Sequence, residues 1–219
     1  MSYIAITGAG TGLGAALAKQ YAANGHTIYL LGRTEDRLLT IKREIEEKAG
    51  EASVVICDVT DPSSVEEAMT QMPKLDVLIN NAGLGIFGPV QELTTTDINQ
   101  MLNTNVKGTI YMTQTALPLL TESGGRILNI ISTAGLRGKV NESVYCASKF
   151  AQRGFTESLQ KELENTSVSV TAVYMGGMNT PFWDGSEHVD NPTKLKDPAT
   201  VAQIIFDQDD GRQEIKVPK

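Results

Sequence analysis

Four side chains that could take part in proton transfer lie between residues 105 and 149. Tyr145 and Lys149 enclose three small residues in the stretch YCASK, Ser132 lies thirteen positions before Tyr145, and Asn105 precedes them all. On a helix, residues i and i+4 share one face at about 5–6 Å. A cation that close lowers the pKa of a phenol, which is ordinarily about 10. The spacing therefore predicts a tyrosine acid tuned by a lysine, although Tyr-x-x-x-Lys alone also occurs on ordinary helices.

Strand-length apolar runs alternate with helical stretches along the chain. The predicted strands are residues 3–7, 27–31, 52–56, 76–80, 126–131 and 168–174, with a brief last strand in QEIKV, 213–217. Continuous apolar runs of this kind are typical of a parallel sheet covered on both faces. We predict one α/β domain over residues 1–219, a doubly wound Rossmann-type parallel sheet of six to seven strands with helices on both faces.

Several local signals mark helix starts and one long loop. Asp61-Pro62 and Asp197-Pro198 each place an N-cap before a first-turn proline, and Thr94 with Asp97 approximates a capping box. The longest irregular stretch is 176–196, and a loop of that length in a compact domain is usually functional, often a lid.

A glycine-rich loop follows the first predicted strand in the stretch TGAGTGLG. Gly8, Gly10, Gly12 and Gly14 precede an alanine-rich helix. Glycines there let backbone N–H groups approach a pyrophosphate at a helix N-terminus, where the helix dipole favours negative charge. The position between a strand and a helix predicts a dinucleotide-binding loop.

The spacing Thr7-Gly8-x-x-x-Gly12-x-Gly14 resembles the cofactor loop of the short-chain dehydrogenase/reductase family. The stretch NNAG (80–83), Asn105 in NTNVKG, and Ser132 before Tyr145 and Lys149 match further family elements in order, and the match runs from residue 3 to about 181. The resemblance implies that Tyr145 exchanges a proton with a carbonyl or alcohol oxygen. It also implies that Lys149 binds the nicotinamide ribose and tunes Tyr145, that Ser132 bonds the substrate oxygen, and that Asn105 holds a water.

The resemblance also implies a nicotinamide cofactor, with NADP(H) preferred over NAD(H). Gly32 stands where an NAD-selective relative would carry Asp, and Arg33 follows it, where a guanidinium can pair with a 2′-phosphate. The implied cofactor-binding residues are Gly8, Gly10, Thr11, Gly12, Leu13, Gly14, Arg33, Asp58, Val59, Asn81, Ala82, Gly83, Tyr145, Lys149 and Thr180. The cofactor-binding part would span about 1–110, and the catalytic part with its lid about 111–219.

Two features depart from the family pattern or stay open. Met175 replaces the proline that relatives commonly carry after the sixth strand, so the backbone there is less constrained. Trp183, the only tryptophan, could contact an apolar substrate or anchor the lid, and the sequence favours neither.

The composition limits the partners. A net charge of −7 and a pI of about 4.9 disfavour nucleic acid and anionic lipid, and no stretch of eighteen apolar residues suggests a membrane segment. We therefore expect a cytoplasmic protein with a small-molecule substrate. His26 and His188 are predicted to be surface residues, and no metal site is expected. The resemblance implies a homodimer or homotetramer paired through helices at about 97–121 and 142–165.

Two other functions compete with a carbonyl reductase or alcohol dehydrogenase. A methyltransferase also carries a glycine-rich loop after its first strand, but normally has an acidic residue closing the second, where this chain has Gly32-Arg33. A catalytically idle NADP(H)-binding sensor would keep the same site without turning over any substrate.

Overall fold

Strands and helices alternate through the computed structural model of the protein, which describes residues 1–218. The strands are β1 (Tyr3–Thr7), β2 (Thr27–Gly32), β3 (Glu51–Ile56), β4 (Val77–Asn80), β5 (Arg126–Ile130), β6 (Ser169–Tyr174) and β7 (Glu214–Lys216). The α-helices are α1 (Gly12–Ala23), α2 (Glu35–Glu46), α3 (Pro62–Thr70), α4 (Thr95–Leu102), α5 (Thr109–Ser123), α6 (Ser143–Glu162) and α7 (Pro198–Gln208). Each predicted strand lies within one residue of its observed bounds.

All seven strands pair in parallel in the order β3-β2-β1-β4-β5-β6-β7. The chain order reverses between β1 and β4, and in doubly wound sheets ligands bind in the crevice beyond the carboxyl ends of the strands at that point. The predicted fold class is confirmed. The division into a cofactor-binding and a catalytic part at about residue 110 stays a prediction.

The two faces of the sheet are covered by different helices. One apolar cluster joins α1, α2 and α7 to one face, with Leu17, Leu38 and Ile205 almost completely buried. The second cluster joins α3, α5 and α6 to the other face, with Val65, Met112 and other side chains from these helices. None of the helices within residues 1–218 is both long and apolar enough to cross a bilayer.

The predicted helix starts are observed. The Asp61 side chain accepts a hydrogen bond from the Ser63 N–H at 3.0 Å at the start of α3. Thr94 and Asp97 form both bonds of a capping box, at 2.9 and 3.2 Å between backbone N and side-chain oxygen. Asp197 precedes Pro198 at the start of α7 but makes no side-chain capping bond.

A π-helical turn interrupts what the sequence predicts as one regular helix over about 97–121. The turn covers Asn103–Gly108 between α4 and α5. Such turns carry an extra residue within a helix and are frequent at functional sites. Here the turn contains Asn105, whose side chain bonds to two different segments, so tertiary contacts and not local propensity explain the interruption.

Buried amides cross-link the middle of the sheet to α5 and α6. Asn80 Nδ2 donates to Thr113 Oγ1 at 3.0 Å and to Asn129 Oδ1 at 2.9 Å, and Asn129 Nδ2 donates to Thr156 Oγ1 at 2.9 Å. Because a buried polar group without a partner is costly, these bonds fix how both helices sit on the sheet. α6 carries Tyr145 and Lys149, so these buried hydrogen bonds also position the predicted site.

Candidate functional site

A cavity of about 510 Å³ lies beyond the carboxyl ends of the central strands and contains both the glycine loop and the predicted acid. The predicted site residues that line it are Gly8, Gly10, Thr11, Gly12, Leu13, Arg33, Asp58, Val59, Asn81, Ala82, Gly83, Ser132, Tyr145, Lys149 and Thr180. Gly14 and Asn105 lie behind its wall and support residues that line it. The fold thus brings residues from both halves of the chain to one crevice.

The glycine loop packs too tightly against its neighbours to admit a side chain at Gly14. A Cβ there would lie 2.3 Å from the Gly8 carbonyl oxygen and 2.6 Å from Asn81 Nδ2. Asn81 is itself fixed, because its Nδ2 donates to the Thr7 carbonyl and its backbone N–H donates to Thr7 Oγ1, both at 2.9 Å. Thr7, which was not among the predicted site residues, therefore joins the loop to the segment after β4.

The start of α1 offers free backbone donors to an anion. Thr11 occupies the N-cap position but makes no side-chain capping bond, and the first turn carries no acidic residue. The first N–H groups of a helix have no partner within it and attract phosphate. On the far side of the loop, a Cβ at Gly12 would lie 3.3 Å from the Thr180 Cβ. The unpaired N–H groups at the start of α1, with no acidic residue beside them, fit the pyrophosphate of a dinucleotide.

Two arginines line the cavity beyond β2. Arg33 follows Gly32, and Arg37 lies in the first turn of α2, where a Cβ at Gly10 would approach its Cβ to 3.1 Å. Glu35 and Asp36 also lie in that turn but not in the cavity wall. Arg37 was not among the predicted cofactor-binding residues. The signal in the sequence was a second basic residue four positions after Arg33, and the structure places that residue beside the glycine loop.

Asp58 and Val59 follow β3 on the same side of the cavity. Asp58 Oδ1 accepts bonds from the Thr60 backbone N–H at 2.9 Å and from Thr60 Oγ1 at 2.8 Å. Val59 is almost buried and packs against Gly108, where an added Cβ would lie 2.7 Å from Val59 Cγ2. Both residues are therefore held in fixed positions at the wall.

Ser132 has a strained backbone directly after β5. Its φ of 131° is unusual for a residue other than glycine, and such strain persists only where the surroundings enforce it. The flanking N–H groups of Ile131 and Thr133 donate to the carbonyls of Val173 and Met175, both at 2.9 Å. Ser132 Oγ accepts from the Ala134 N–H at 3.1 Å, so its own hydroxyl proton can be donated to the neighbouring Tyr145 oxygen.

Tyr145 is buried and lines the cavity. Its ring contacts Phe87 and Phe182, with centroids 5.4 and 5.9 Å away. Burial raises the pKa of the phenol well above 10, a hydrogen bond with Ser132 opposes this, and the charge of Glu142 adds to it. In the protein by itself, burial is the largest contribution and the pKa of Tyr145 is raised. The lowering of this pKa that was predicted from Lys149 together with a bound oxidised nicotinamide stays a prediction.

Lys149 lies beside Tyr145, as the i, i+4 spacing predicted. Its Nζ is 5.8 Å from the centroid of the phenol ring. The ammonium donates to the Ile130 carbonyl at 3.2 Å and to Gln152 Oε1 at 2.7 Å. Burial lowers the pKa of Lys149 to about 7. The amine can thus change its charge near neutral pH.

Asn105 is completely buried and all of its side-chain bonds are internal. Its Oδ1 accepts from the Leu84 N–H, and its Nδ2 donates to the Leu84 carbonyl and to Ser148 Oγ, all at 2.9 Å. The residue therefore fixes the segment after β4 against α6. The water that the resemblance assigns to it stays a prediction.

The first part of the segment 176–196, up to Trp183, lines the cavity, and several contacts hold the segment in place. Trp183 Nε1 donates to the Met178 carbonyl at 2.9 Å, and the indole stacks on Phe87 with centroids 5.4 Å apart. Met178 forms a β-bridge with Lys196. Trp183 also lines the cavity, so the structure shows the anchoring role while a substrate contact stays possible for the same ring.

His188 is a packed residue, and its prediction as a surface residue was wrong. Its Nε2 lies 2.9 Å from Glu142 Oε1, and its ring stacks on Phe87 with centroids 4.5 Å apart. Glu142 is buried, with Lys139 Nζ 3.4 Å from its other oxygen. No local pattern could reveal this contact, because Glu142 lies 46 residues away in the chain. His26 is likewise half-buried, against Tyr21 and Phe206.

Comparison with known proteins shows which family the chain matches. A family model described as short chain dehydrogenase matches residues 2–190. An uncharacterized oxidoreductase from Staphylococcus epidermidis is 34% identical over 187 residues, covering 83% of this chain and 80% of that protein. A sepiapterin reductase from Chlorobaculum tepidum is 34% identical over 190 residues, covering 81% of this chain and 78% of that protein. An alcohol dehydrogenase from the archaeon Thermococcus sibiricus, solved with 5-hydroxy-NADP, has a TM-score of 0.90 and 27% identity, covering 99% of this chain and 96% of that one.

Proposed function

Because the chain belongs to the short chain dehydrogenase family, and is thus an oxidoreductase acting on CH–OH or C=O groups with a nicotinamide cofactor, we propose that it reduces a carbonyl compound with NADPH and that Tyr145 is its acid. The observation that carries the proposal is one cavity containing the glycine loop, Ser132, Tyr145 and Lys149. In the reverse direction the same residues would oxidise a secondary alcohol.

The proton-transfer roles follow from the environment of each side chain. The cofactor, when bound, supplies or accepts the hydride. Burial keeps the Tyr145 phenol protonated at neutral pH, so it can donate to the carbonyl oxygen as negative charge develops there. The Ser132 hydroxyl, which is hydrogen-bonded with Tyr145, would turn its proton toward the same carbonyl oxygen and polarise it. Lys149 lines the cavity, stabilises the phenolate that forms, and would bind the nicotinamide ribose.

The cofactor-binding roles follow from the cavity wall. The α1 N-terminus and its glycine loop would hold the pyrophosphate, and the segment Asn81 to Gly83 would lie along the nicotinamide half. Asp58 and Val59 would contact the adenine side, and Thr180 the nicotinamide side, because these residues line the cavity and follow β3 and β6, which lie on opposite sides of β1 in the sheet. Each role is supported by position in the wall and by resemblance to the family.

A preference for NADP(H) is supported by Arg33 and Arg37, which line one wall beside the glycine loop. Guanidinium groups pair with phosphate through charge-assisted bonds. The Thermococcus sibiricus enzyme, whose structure contains 5-hydroxy-NADP, provides a similar fold with such a cofactor.

Replacing Arg33 by serine should weaken NADPH binding about 10- to 100-fold, because a hydrogen bond to a charged group contributes about 1.5–3 kcal/mol. NADH, which lacks the 2′-phosphate, should change by less than about threefold. Fluorescence titration of both cofactors measures the ratio. Arg43→Ser is the matched control, since Arg43 lies on α2, the helix that follows Arg33, does not line the cavity, and bonds to Leu39 and Thr40. Equal losses for NADPH and NADH would contradict a 2′-phosphate contact.

A panel of ketones and aldehydes, assayed by NADPH oxidation, tests the activity itself. Reduction of at least one carbonyl, with matching oxidation of its alcohol by NADP⁺, is the expected result. Tight NADPH binding with no turnover across the panel would favour the alternative of a catalytically idle sensor. The methyltransferase alternative is excluded by membership of the family.

The remaining proposals concern assembly and location. The family is typically oligomeric, and we expect a homodimer or homotetramer paired through α4, α5 and α6. Phe150 is 43% exposed on α6, as a residue at an interface would be in the isolated chain. Sedimentation velocity distinguishes the states. A cytoplasmic location stays a prediction from composition.

A further inference from the structure

Gln152 is a buried polar residue that contacts Lys149, and none of the predicted roles was assigned to it. It lies on α6 and is 1% exposed. Its Oε1 accepts from Lys149 Nζ at 2.7 Å, and its Nε2 donates to Thr109 Oγ1 at 2.8 Å. Thr109 Oγ1 donates in turn to the Asn105 main-chain oxygen at 2.9 Å. A continuous chain of buried polar groups thus joins Lys149 to the π-helical turn.

The hydrogen-bond pattern fixes which way the Gln152 amide faces. The Thr109 hydroxyl has one proton, and that proton goes to the Asn105 carbonyl. Thr109 Oγ1 can therefore only accept from Gln152, which requires Nε2 on that side and Oε1 toward Lys149. A flipped amide would place two donors, Nε2 and the ammonium, against each other.

We propose that Gln152 is a positioning residue for Lys149: its amide oxygen keeps the ammonium charged and directs it along the cavity wall. An ammonium has three N–H donors. Gln152 Oε1 and the Ile130 carbonyl take two of them. The third is left for a group in the cavity, which under the proposed function is a ribose hydroxyl of the cofactor. The consequence for catalysis rests on the proposed function, but the effect on Lys149 does not.

The electrostatic surroundings make this amide oxygen important. Burial is the cause that lowers the pKa of Lys149 to about 7, and no charged side chain within residues 1–218 contributes to the shift. The titratable groups near Tyr145 are Glu142, which is paired with Lys139 and His188, and Cys146. Since the charged amine has only neutral acceptors, the loss of one should favour its neutral form.

Replacing Gln152 by methionine removes both bonds at similar volume, and should lower the pKa of Lys149 by about one unit or more. The measurement is an NMR titration of protein labelled at lysine Cε, with the Lys149 signal identified by its loss in Lys149→Met. It needs no substrate and no turnover. Gln160→Met is the matched control: Gln160 lies on the same helix and also makes two bonds through its amide, to the Val170 and Gln213 carbonyls. The control should leave the Lys149 titration unchanged.

The catalytic consequence has a separate readout. With a less charged Lys149, the Tyr145 phenolate is less stabilised, so the acid limb of alcohol oxidation should move to higher pH by about one unit in Gln152→Met. An unchanged Lys149 titration in folded Gln152→Met overturns the inference. If that variant does not fold, Thr109→Val decides, with a fall of about half a unit expected and no change overturning it. If the unmodified protein oxidises no alcohol, the proposed function fails while the titration still tests the role of Gln152.

Discussion

Replacing Tyr145 by phenylalanine is expected to lower carbonyl turnover by about 10³-fold or more while leaving NADPH affinity within about threefold. The variant removes one hydroxyl and keeps the ring contacts with Phe87 and Phe182. Only proton donation is lost, because the glycine loop and both arginines are untouched. Steady-state kinetics and a cofactor titration on the same preparation measure the two quantities.

Tyr174→Phe is a matched control for that variant. Tyr174 is 1% exposed in β6, and its hydroxyl has no hydrogen-bond partner among the described residues. Its removal should leave turnover unchanged and the free energy of unfolding the same or higher by up to about 1 kcal/mol. Activity of Tyr145→Phe within about tenfold of the unmodified protein would refute Tyr145 as the acid.

Replacing Gly14 by alanine is expected to weaken NADPH binding by about 100-fold or more and to lower the free energy of unfolding by about 1–3 kcal/mol. The new Cβ would lie 2.3 Å from the Gly8 carbonyl oxygen and 2.6 Å from Asn81 Nδ2, and neither can retreat cheaply. The loop must therefore move away from the position that presents its N–H groups to phosphate. Denaturant unfolding and cofactor titration measure both effects.

Gly154→Ala is the control for that substitution. Gly154 lies within α6, and a Cβ there would have no neighbour within 4 Å. Alanine should raise the free energy of unfolding by about 0.5–1 kcal/mol through its higher helix propensity. If Gly14→Ala binds NADPH as tightly as the unmodified protein, the glycine loop is not the pyrophosphate site.

Features that depend on local sequence were predictable, and features that depend on distant contacts were not. The strand bounds and the Asp61 and Thr94 caps follow from periodicity and from bonds between residues two or three positions apart. The interruption at Asn105 does not, because it depends on bonds to Leu84 and Ser148 in other parts of the chain.

The same distinction holds within the candidate site. The proximity of Tyr145 and Lys149 follows from helical spacing, and the structure has them side by side. The direction of the Tyr145 pKa shift depends on how much protein surrounds the phenol, a quantity that the sequence does not display. Gln152 could not be predicted from the sequence for a related reason. A glutamine on a helix is ordinarily exposed to solvent, and its proposed role toward Lys149 depends on its burial against Thr109.

The π-helical turn at Asn103–Gly108 has a consequence for the rotational phase of the whole α4–α5 unit. Because each residue of an α-helix advances the chain by about 100°, the one surplus residue in such a turn offsets the facing of α4 relative to α5 by about that angle. Without that residue the chain would form an unbroken helix, and the faces of α4 would be rotated relative to α5 by about that angle. The number of residues in this turn, as much as their identity, therefore determines the relative orientation of the two helices that flank Asn105.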